Sequence, residues 1–401
     1  MMRKLFILCA LALTACTAKA PLSLQVVRSE MARCPEASYI DGQEGKLKWN
    51  YTTGLELKAL LDVWQMAGQA GHDTRHSRLD RESVLSYVDA WYDAIIDSTG
   101  TIYKYKKSNF SLDHVCPGRT LFQLYDITGK EKYKTAMDTL YSQLLDQPRT
   151  PEGGFWHKAV YPEQMWLDGL YMGQPFYAEY TRRYVTDSLE RARNYADIVL
   201  QFQLVYEHTL DPETGLLRHA WDSSRSMFWC NAETGQSDHA WGRAMGWYAM
   251  ALADVIEILP VSEYADALIQ LLGTVIDSIQ VYADQQTGMW FQVLDRPYAE
   301  GNYLEATCSA MFVYAWLKGC RLGILGNQEG AVHAYESLLK TFVRTDKDGL
   351  VNLDQCCEVA GLGGKGNRRG DYDYYIHEPI RSNDPKGMGP LIWAALEYEM
   401  L

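Results

Sequence analysis

The chain has 401 residues, 47% of them hydrophobic and 12% aromatic, and a formal net charge of -13. That length and apolar content suit one large buried core, and after residue 30 no low-complexity or Pro/Ser-rich stretch marks a domain boundary. The acidic balance argues against nucleic acid and against an anionic membrane surface as partners, while local Arg and Lys can still meet an anionic small molecule.

The N-terminus reads as a targeting segment. Arg3 and Lys4 precede an apolar run over 5–13, too short to span a bilayer. The run ends in Leu13-Thr14-Ala15-Cys16, which resembles a bacterial lipobox. Cleavage before Cys16 makes 1–15 a signal peptide, Cys16 the lipidation site, 16–30 a tether and 31–401 a single domain. The alternative is a plain secretion signal cut after Ala18 or Ala20. The expected location is the periplasm, with membrane contact only through the lipid. No acidic residue directly follows Cys16, which favours that inward face. Of nine cysteines, removing Cys9 and Cys16 leaves an odd number without a C-x-x-C pair. Neither a zinc site nor a disulfide framework is expected, and no cluster has metal-ligand spacing, so no metal or cofactor is expected.

From Trp49 onward apolar residues recur at helical spacing. Leu57, Leu60, Leu61 and Trp64 share one face, as do Val84, Val88, Trp91 and Ile95. Further amphipathic stretches fall near 117–127, 131–146, 164–183, 187–206, 240–259, 262–282, 303–323, 328–344 and 387–400. Between them a turn recurs, with aligned glycines at 100, 154, 215, 288 and 349 and bulky residues after each. The spacing holds two helices per repeat. Five turns and a terminal helix pair predict six α-hairpins closed into an all-α (α/α)6 barrel, with short strands in the mouth loops. If the turns share one end, His157 and His219 meet there.

Polar residues interrupt aromatic runs at Ser111-Leu112-Asp113-His114, Phe155-Trp156-His157-Lys158, Leu217-Arg218-His219-Ala220-Trp221-Asp222 and Trp241-Gly242-Arg243-Ala244-Met245-Gly246-Trp247. The sharpest case is Met165-Trp166-Leu167-Asp168-Gly169-Leu170-Tyr171-Met172, one carboxylate in apolar surroundings, followed by Gly where a helix former would serve packing better. Burial raises a carboxyl pKa and makes a general acid, although such an Asp can equally be held by backbone donors. Aromatic faces beside carboxylates, His and Arg are what a sugar subsite needs.

These motifs, with Glu378-Pro379 and Asp384-Pro385-Lys386-Gly387 near the C-terminus, resemble glycoside hydrolase family 105, the unsaturated rhamnogalacturonyl hydrolases. The related unsaturated glucuronyl hydrolases of family 88 lie further off. The resemblance runs from about Trp49 to the C-terminus and implies the same (α/α)6 barrel. It implies removal of a 4,5-unsaturated uronate from an oligosaccharide cut by a lyase. The acid protonates C4 and water adds at C5. It maps the acid/base onto Asp168 and a second carboxylate onto Asp113, with Asp113 raising the Asp168 pKa by repulsion. His157, His219, Trp241, Arg243 and Trp247 match sugar-contacting positions, with Arg243 facing the uronate carboxylate and the tryptophans stacking on the ring. Trp166 joins the substrate-binding set, Trp49 and Tyr51 complete the wall, and Lys386 and Arg381 belong to a loop over the mouth.

Each residue also has a structural reading. Asp113 can cap the helix near Pro117, the histidines can be rim residues, the tryptophans packing, and Arg243 a helix ion pair. Two other functions remain open: an inverting glycosidase on a saturated glycan, and a lipid-anchored glycan-binding protein.

Overall fold

The structure, a computed structural model, describes residues 20–66 and 74–401. In chain order its helices are α1 (Leu22–Arg33), α2 (Tyr51–Met66), α3 (Thr74–Ile95), α4 (Arg119–Thr128), α5 (Glu131–Leu145), α6 (Leu167–Tyr184) and α7 (Ser188–Thr209). They continue with α8 (Gly242–Ile258), α9 (Glu263–Val281), α10 (Ala306–Arg321), α11 (Gln328–Phe342), the short α12 (Tyr372–His377) and α13 (Pro385–Met400). Six of them, α2, α4, α6, α8, α10 and α13, form an inner ring in which α13 closes back on α2. Each inner helix packs against an outer one: α2 on α3, α4 on α5, α6 on α7, α8 on α9, α10 on α11 and α13 on α1. This is the (α/α)6 toroid that the periodicity predicts. Inner helices are apolar on most faces because both their neighbours and the barrel axis bury them. All but two residues of α8 are buried. Small residues set their spacing: a Cβ on Gly246 of α8 would lie 2.7 Å from Met311 Sδ on α10.

The sixth hairpin joins the two ends of the chain. Residues 22–30, expected as part of a tether, instead belong to α1. Val26 and Val27 are fully buried, and Ser23 donates from its backbone N and Oγ to the Glu399 carboxylate at 3.0 and 2.6 Å. The partner lies at the far end of the sequence, so no local window reveals it. Cys16, Ala18 and the apolar run lie outside the described residues.

Between α1 and α2 two buried carboxyls face one half-buried Arg33. Burial raises Glu30 to about 7 against the opposing pull of Arg33, and it raises Glu56 as well. A carboxyl raised in the fold contributes stability below its ordinary range, and that stability is lost as pH rises through the folded value. The melting temperature should therefore fall between pH 5 and 8 as this pair is forced to ionise. Glu30→Gln should flatten the fall, and an unchanged slope in calorimetry would exclude the pair as its source.

The recurring turns all follow outer helices and lead toward inner ones. Their left-handed glycines are Gly100, Gly153, Gly215, Gly288 and Gly349, with φ between 72° and 98°. In the second turn the left-handed residue is Gly153 rather than the expected Gly154. Gly154 is needed for another reason, since a Cβ there would fall 2.1 Å from Met165 Sδ. The inner-helix N-termini share the end that these turns form. Backbone bonds bridge the loops there: Leu112 N to His157 O, Leu167 N to His219 O, His219 N to His239 O, Gly242 N to Gln292 O and Ala306 N to Gln355 O. The strands are short pairs. At this rim β1 (Gln164–Trp166) pairs antiparallel with β2 (Ala220–Asp222), and β5 (Cys356–Cys357) with β6 (Ile380–Arg381). The third pair, β3 (Val343–Thr345) with β4 (Val351–Leu353), follows α11.

Candidate active site

Two carboxylate–histidine pairs meet at this rim. Asp168 stands in the first turn of α6, where the helix N-terminus favours negative charge. The β1–β2 register and the Leu167 N to His219 O bond set His219 beside it, with Nε2 3.3 Å from Asp168 Oδ2. The two atoms are near enough to pair yet out of line, so neither has a hydrogen-bond partner among the described residues. The second pair forms across the Leu112 N to His157 O bond. Asp113, in the 3-10 turn Leu112–His114, lies with Oδ1 3.4 Å from His157 Nε2, and its Oδ2 accepts from Lys158 Nζ. Asp113 makes no cap bond to the helix that follows. Both carboxylates keep a partial opening to solvent, 16% for Asp168 and 18% for Asp113.

An aromatic stack joins the pairs. His157 lies parallel to Trp166 at 4.8 Å, Tyr161 covers Trp166 at 5.0 Å, and His219 meets the Trp166 edge at 5.4 Å. The two histidines therefore do share one mouth. Gly169 is explained by this closeness, since a Cβ there would come within 3.1 Å of both His157 Nδ1 and Leu112 Cδ1.

The electrostatics correct one expectation. Burial does push the Asp168 carboxyl up, but His219, with His157 and Arg243 behind it, outweighs burial and holds it below the ordinary carboxylate range. Burial also lowers His157 to about 4, so at neutral pH its own pull on Asp168 is largely gone. Any repulsion from Asp113 is outweighed, so the net rise expected for Asp168 is not found. Despite its own burial Asp113 is held low by Lys158 and His157, which spend its charge locally. The free protein thus presents two carboxylates rather than one neutral acid.

Other expected contacts sit deeper than the sequence suggests. Arg243 is 1% exposed, lies over Trp241 at 4.6 Å, and donates to the carbonyls of Cys357 (2.5 Å) and Glu358 (3.5 Å). Trp241 and Trp247 are also buried. Trp247 packs on Tyr171 at 4.8 Å and on the edge of half-buried Tyr51 at 6.2 Å, which makes it floor rather than an open platform. Trp49 stacks on Trp91 in the wall behind. Lys386 is on no covering loop. It lies buried in the first turn of α13, paired with the fully buried Asp384 at 2.8 Å, while Arg381 bridges Asp384 and Asp41. Burial lowers the Lys386 ammonium in spite of that partner. These residues frame the site through α8 and α13, because inner-helix side chains point into the barrel.

Two site residues carry no role in the sequence reading. Lys158 adjoins His157 in a motif already singled out, which is a usable signal. Tyr375 of α12, whose hydroxyl is 2.7 Å from His219 Nδ1, lies in an irregular tyrosine-rich run that no periodicity flags. A separate cavity of about 690 Å³ lies at the opposite end, among the inner-helix C-termini. Its charges are matched to one another, Asp254 with Arg119 and Lys318 and Glu397 with Arg321, so it reads as a structural ion-pair network.

Comparison with known proteins agrees with this geometry. The model of Glycosyl Hydrolase Family 88 matches residues 22–401. A glycoside hydrolase of family 105 from C. acetobutylicum ATCC 824 superposes with a TM-score of 0.86 at 42% identity, over 95% of this chain and 100% of that one. The unsaturated rhamnogalacturonyl hydrolase YesR of Bacillus subtilis is 30% identical over 220 residues, 53% of this chain and 59% of its own. The unsaturated glucuronyl hydrolase of Bacillus sp. GL1, at 10% identity and a TM-score of 0.58 over 94% of this chain and 95% of its own, shares the fold. With its toroid, its paired carboxylates and a family match over nearly its whole length, the chain belongs to glycosyl hydrolase family 88 and is a glycoside hydrolase.

Proposed function

We propose that this enzyme removes a 4,5-unsaturated uronate from the non-reducing end of oligosaccharides released by a polysaccharide lyase, of the rhamnogalacturonan type or a related one. What carries the reading is the pair of carboxylate–histidine couples on one aromatic face, Asp168–His219 and Asp113–His157. The names of the relatives, an unsaturated rhamnogalacturonyl hydrolase among them, support the substrate class.

The chemistry starts at the enol ether. Asp168, protonated in the complex, gives its proton to C4. The C4=C5 electrons form the new C–H bond, and positive charge spreads over C5 and the ring oxygen. Anionic Asp113 stabilises that charge. Water adds at C5 and returns a proton to the Asp168 carboxylate. The hemiketal opens to a keto sugar and frees the aglycone.

Because Asp168 is held low in the free enzyme, the acid form must be gained with substrate. An anionic uronate and the loss of water around Asp168 both favour protonation. Two pH profiles should therefore separate. kcat/KM, which reports free enzyme, should fall about tenfold per unit above an acidic pKa, whereas kcat should hold to higher pH. Coincident profiles would show that substrate does not shift the acid. The test of function is loss of the ultraviolet absorbance of the double bond, with unsaturated disaccharides from rhamnogalacturonan, ulvan and glucuronate-bearing glycans beside saturated glycosides. Bleaching of one unsaturated member supports the proposal, and turnover of saturated glycosides alone overturns it in favour of ordinary glycoside hydrolysis.

A further inference from the structure

We infer that Tyr375 is a positioning residue that fixes the tautomer of His219 and thereby keeps Asp168 available as an acid. The inference rests on the role proposed for Asp168, but its geometry stands independently. His219 is fully buried, and its two ring nitrogens face different partners, Tyr375 Oη at 2.7 Å from Nδ1 and Asp168 Oδ2 at 3.3 Å from Nε2. A neutral imidazole carries one N–H, and which nitrogen bears it follows from the partner of the other.

Tyr375 is fully buried and its burial strongly disfavours ionisation, so the hydroxyl keeps its proton. Donated to Nδ1, that proton leaves the remaining N–H on Nε2, the nitrogen 3.3 Å from Asp168 Oδ2, where a small rotation of the carboxyl brings the two into line. The carboxylic acid form of Asp168 can then accept at Oδ2 and keep its own proton on Oδ1, toward the mouth. The reverse arrangement, a bare Nε2, would draw the acidic proton into an O–H to Nε2 bond pointing away from substrate.

The tyrosine is held for this task from outside the barrel. α12 lies in the last crossover, and the Tyr375 carbonyl accepts from Gln292 Nε2 at 3.2 Å. Gln292 Oε1 in turn accepts from Trp241 Nε1 at 3.1 Å, and the Tyr375 ring stacks on Trp241 at 5.9 Å. The same crossover supplies the Cys357 and Glu358 carbonyls that hold Arg243. The charged and titratable groups around the relay are His157 on one side, Arg243 of α8 beneath, and Tyr374, Asp238 and Asp295 on the Tyr375 side.

Tyr375→Phe removes the donor and keeps the ring. Without it, protonation of Nδ1 is no longer opposed, and an imidazolium–carboxylate pair forms more readily. kcat should fall about 10- to 100-fold with KM within about threefold, and the alkaline limb of kcat should move to lower pH. A purely structural tyrosine would lower the amplitude and leave the limb in place, and that result would overturn the proposal. The second measurement needs neither turnover nor a variant of Tyr375. In wild-type protein with 15N-labelled histidine, the ring signals absent from His219→Gln should show Nδ1 as acceptor and Nε2 protonated near pH 7. An Nδ1–H tautomer would overturn the proposal whatever the substrate proves to be. Failure to bleach any unsaturated disaccharide, with the Nε2–H tautomer intact, would instead count against the function.

Discussion

Asp168→Asn should lower kcat by about a thousandfold or more on the unsaturated substrate while leaving KM within a few-fold. The amide has the same shape and keeps a carbonyl oxygen toward His219 Nε2, but it holds no proton acidic enough for carbon. The change therefore removes transition-state stabilisation rather than binding. Asp113→Asn should also be severe and should differ in kind. Its carboxylate pairs with Lys158 and sits against His157, so its loss frees a cation beside the developing charge at C5. A rise in KM along with the fall in kcat is expected there. The measurement is steady-state bleaching with both variants shown to be folded by circular dichroism. An Asp168→Asn enzyme with more than a tenth of wild-type kcat would remove Asp168 from the acid role.

The largest effect on stability is expected far from the chemistry. Asp254 of α8 is 3% exposed and accepts from Arg119 at 2.6 Å, Lys318 at 2.8 Å and Tyr314 at 2.5 Å. It ties α4, α8 and α10 together inside the ring. Although burial alone would raise it, Lys318 and Arg119 hold its carboxyl well below the ordinary range. Asp254→Ala leaves buried Lys318 and largely buried Arg119 without their shared anion, with only the more exposed Glu257 still beside Lys318, a change that costs about 3–5 kcal/mol. Denaturant unfolding should show that loss, with activity per folded molecule near wild type. A carboxyl lowered in the fold contributes stability above its ordinary pKa and loses it as pH falls. The difference between wild type and Asp254→Ala should accordingly narrow toward low pH. A loss below about 1 kcal/mol at pH 7 would mean that Lys318 and Arg119 find other partners.

Much of the toroid is legible in the chain, and the reason is local. Each inner and outer helix carries its own 3.6-residue pattern, and each turn needs a left-handed residue, so α4 through α11 and α13 announce themselves within windows of about twenty residues. α1 does not. Its partners are Glu399 and α13, and only closure of the ring tells Val26 and Val27 that they are core. Gly153 against Gly154 shows the same limit at small scale, because two adjacent glycines answer different needs and the sequence marks neither. Within the site, the polar residues among aromatics are readable because a charge in an apolar run demands a reason. Their depth is not. Arg243, Trp247 and Lys386 lie on inner helices, so the side of the helix on which they fall decides whether they meet ligand or core. The state of Asp168 is unreadable for a related reason. Burial is local and pushes the carboxyl up, whereas His219, which pulls it down, arrives through a strand pairing between β1 and β2. Tyr375 comes from further still, through a crossover whose shape no repeat encodes.

The claim on which the rest depends is that Asp168 delivers a proton to C4. Running the reaction in D2O and examining the released sugar by NMR at early times tests it directly. Hydration of the double bond predicts one deuterium at C4, placed on a single face, in product that has lost its ultraviolet absorbance. A released sugar that keeps the 4,5-double bond and carries no deuterium would contradict the account, since cleavage would then have occurred at the glycosidic bond itself.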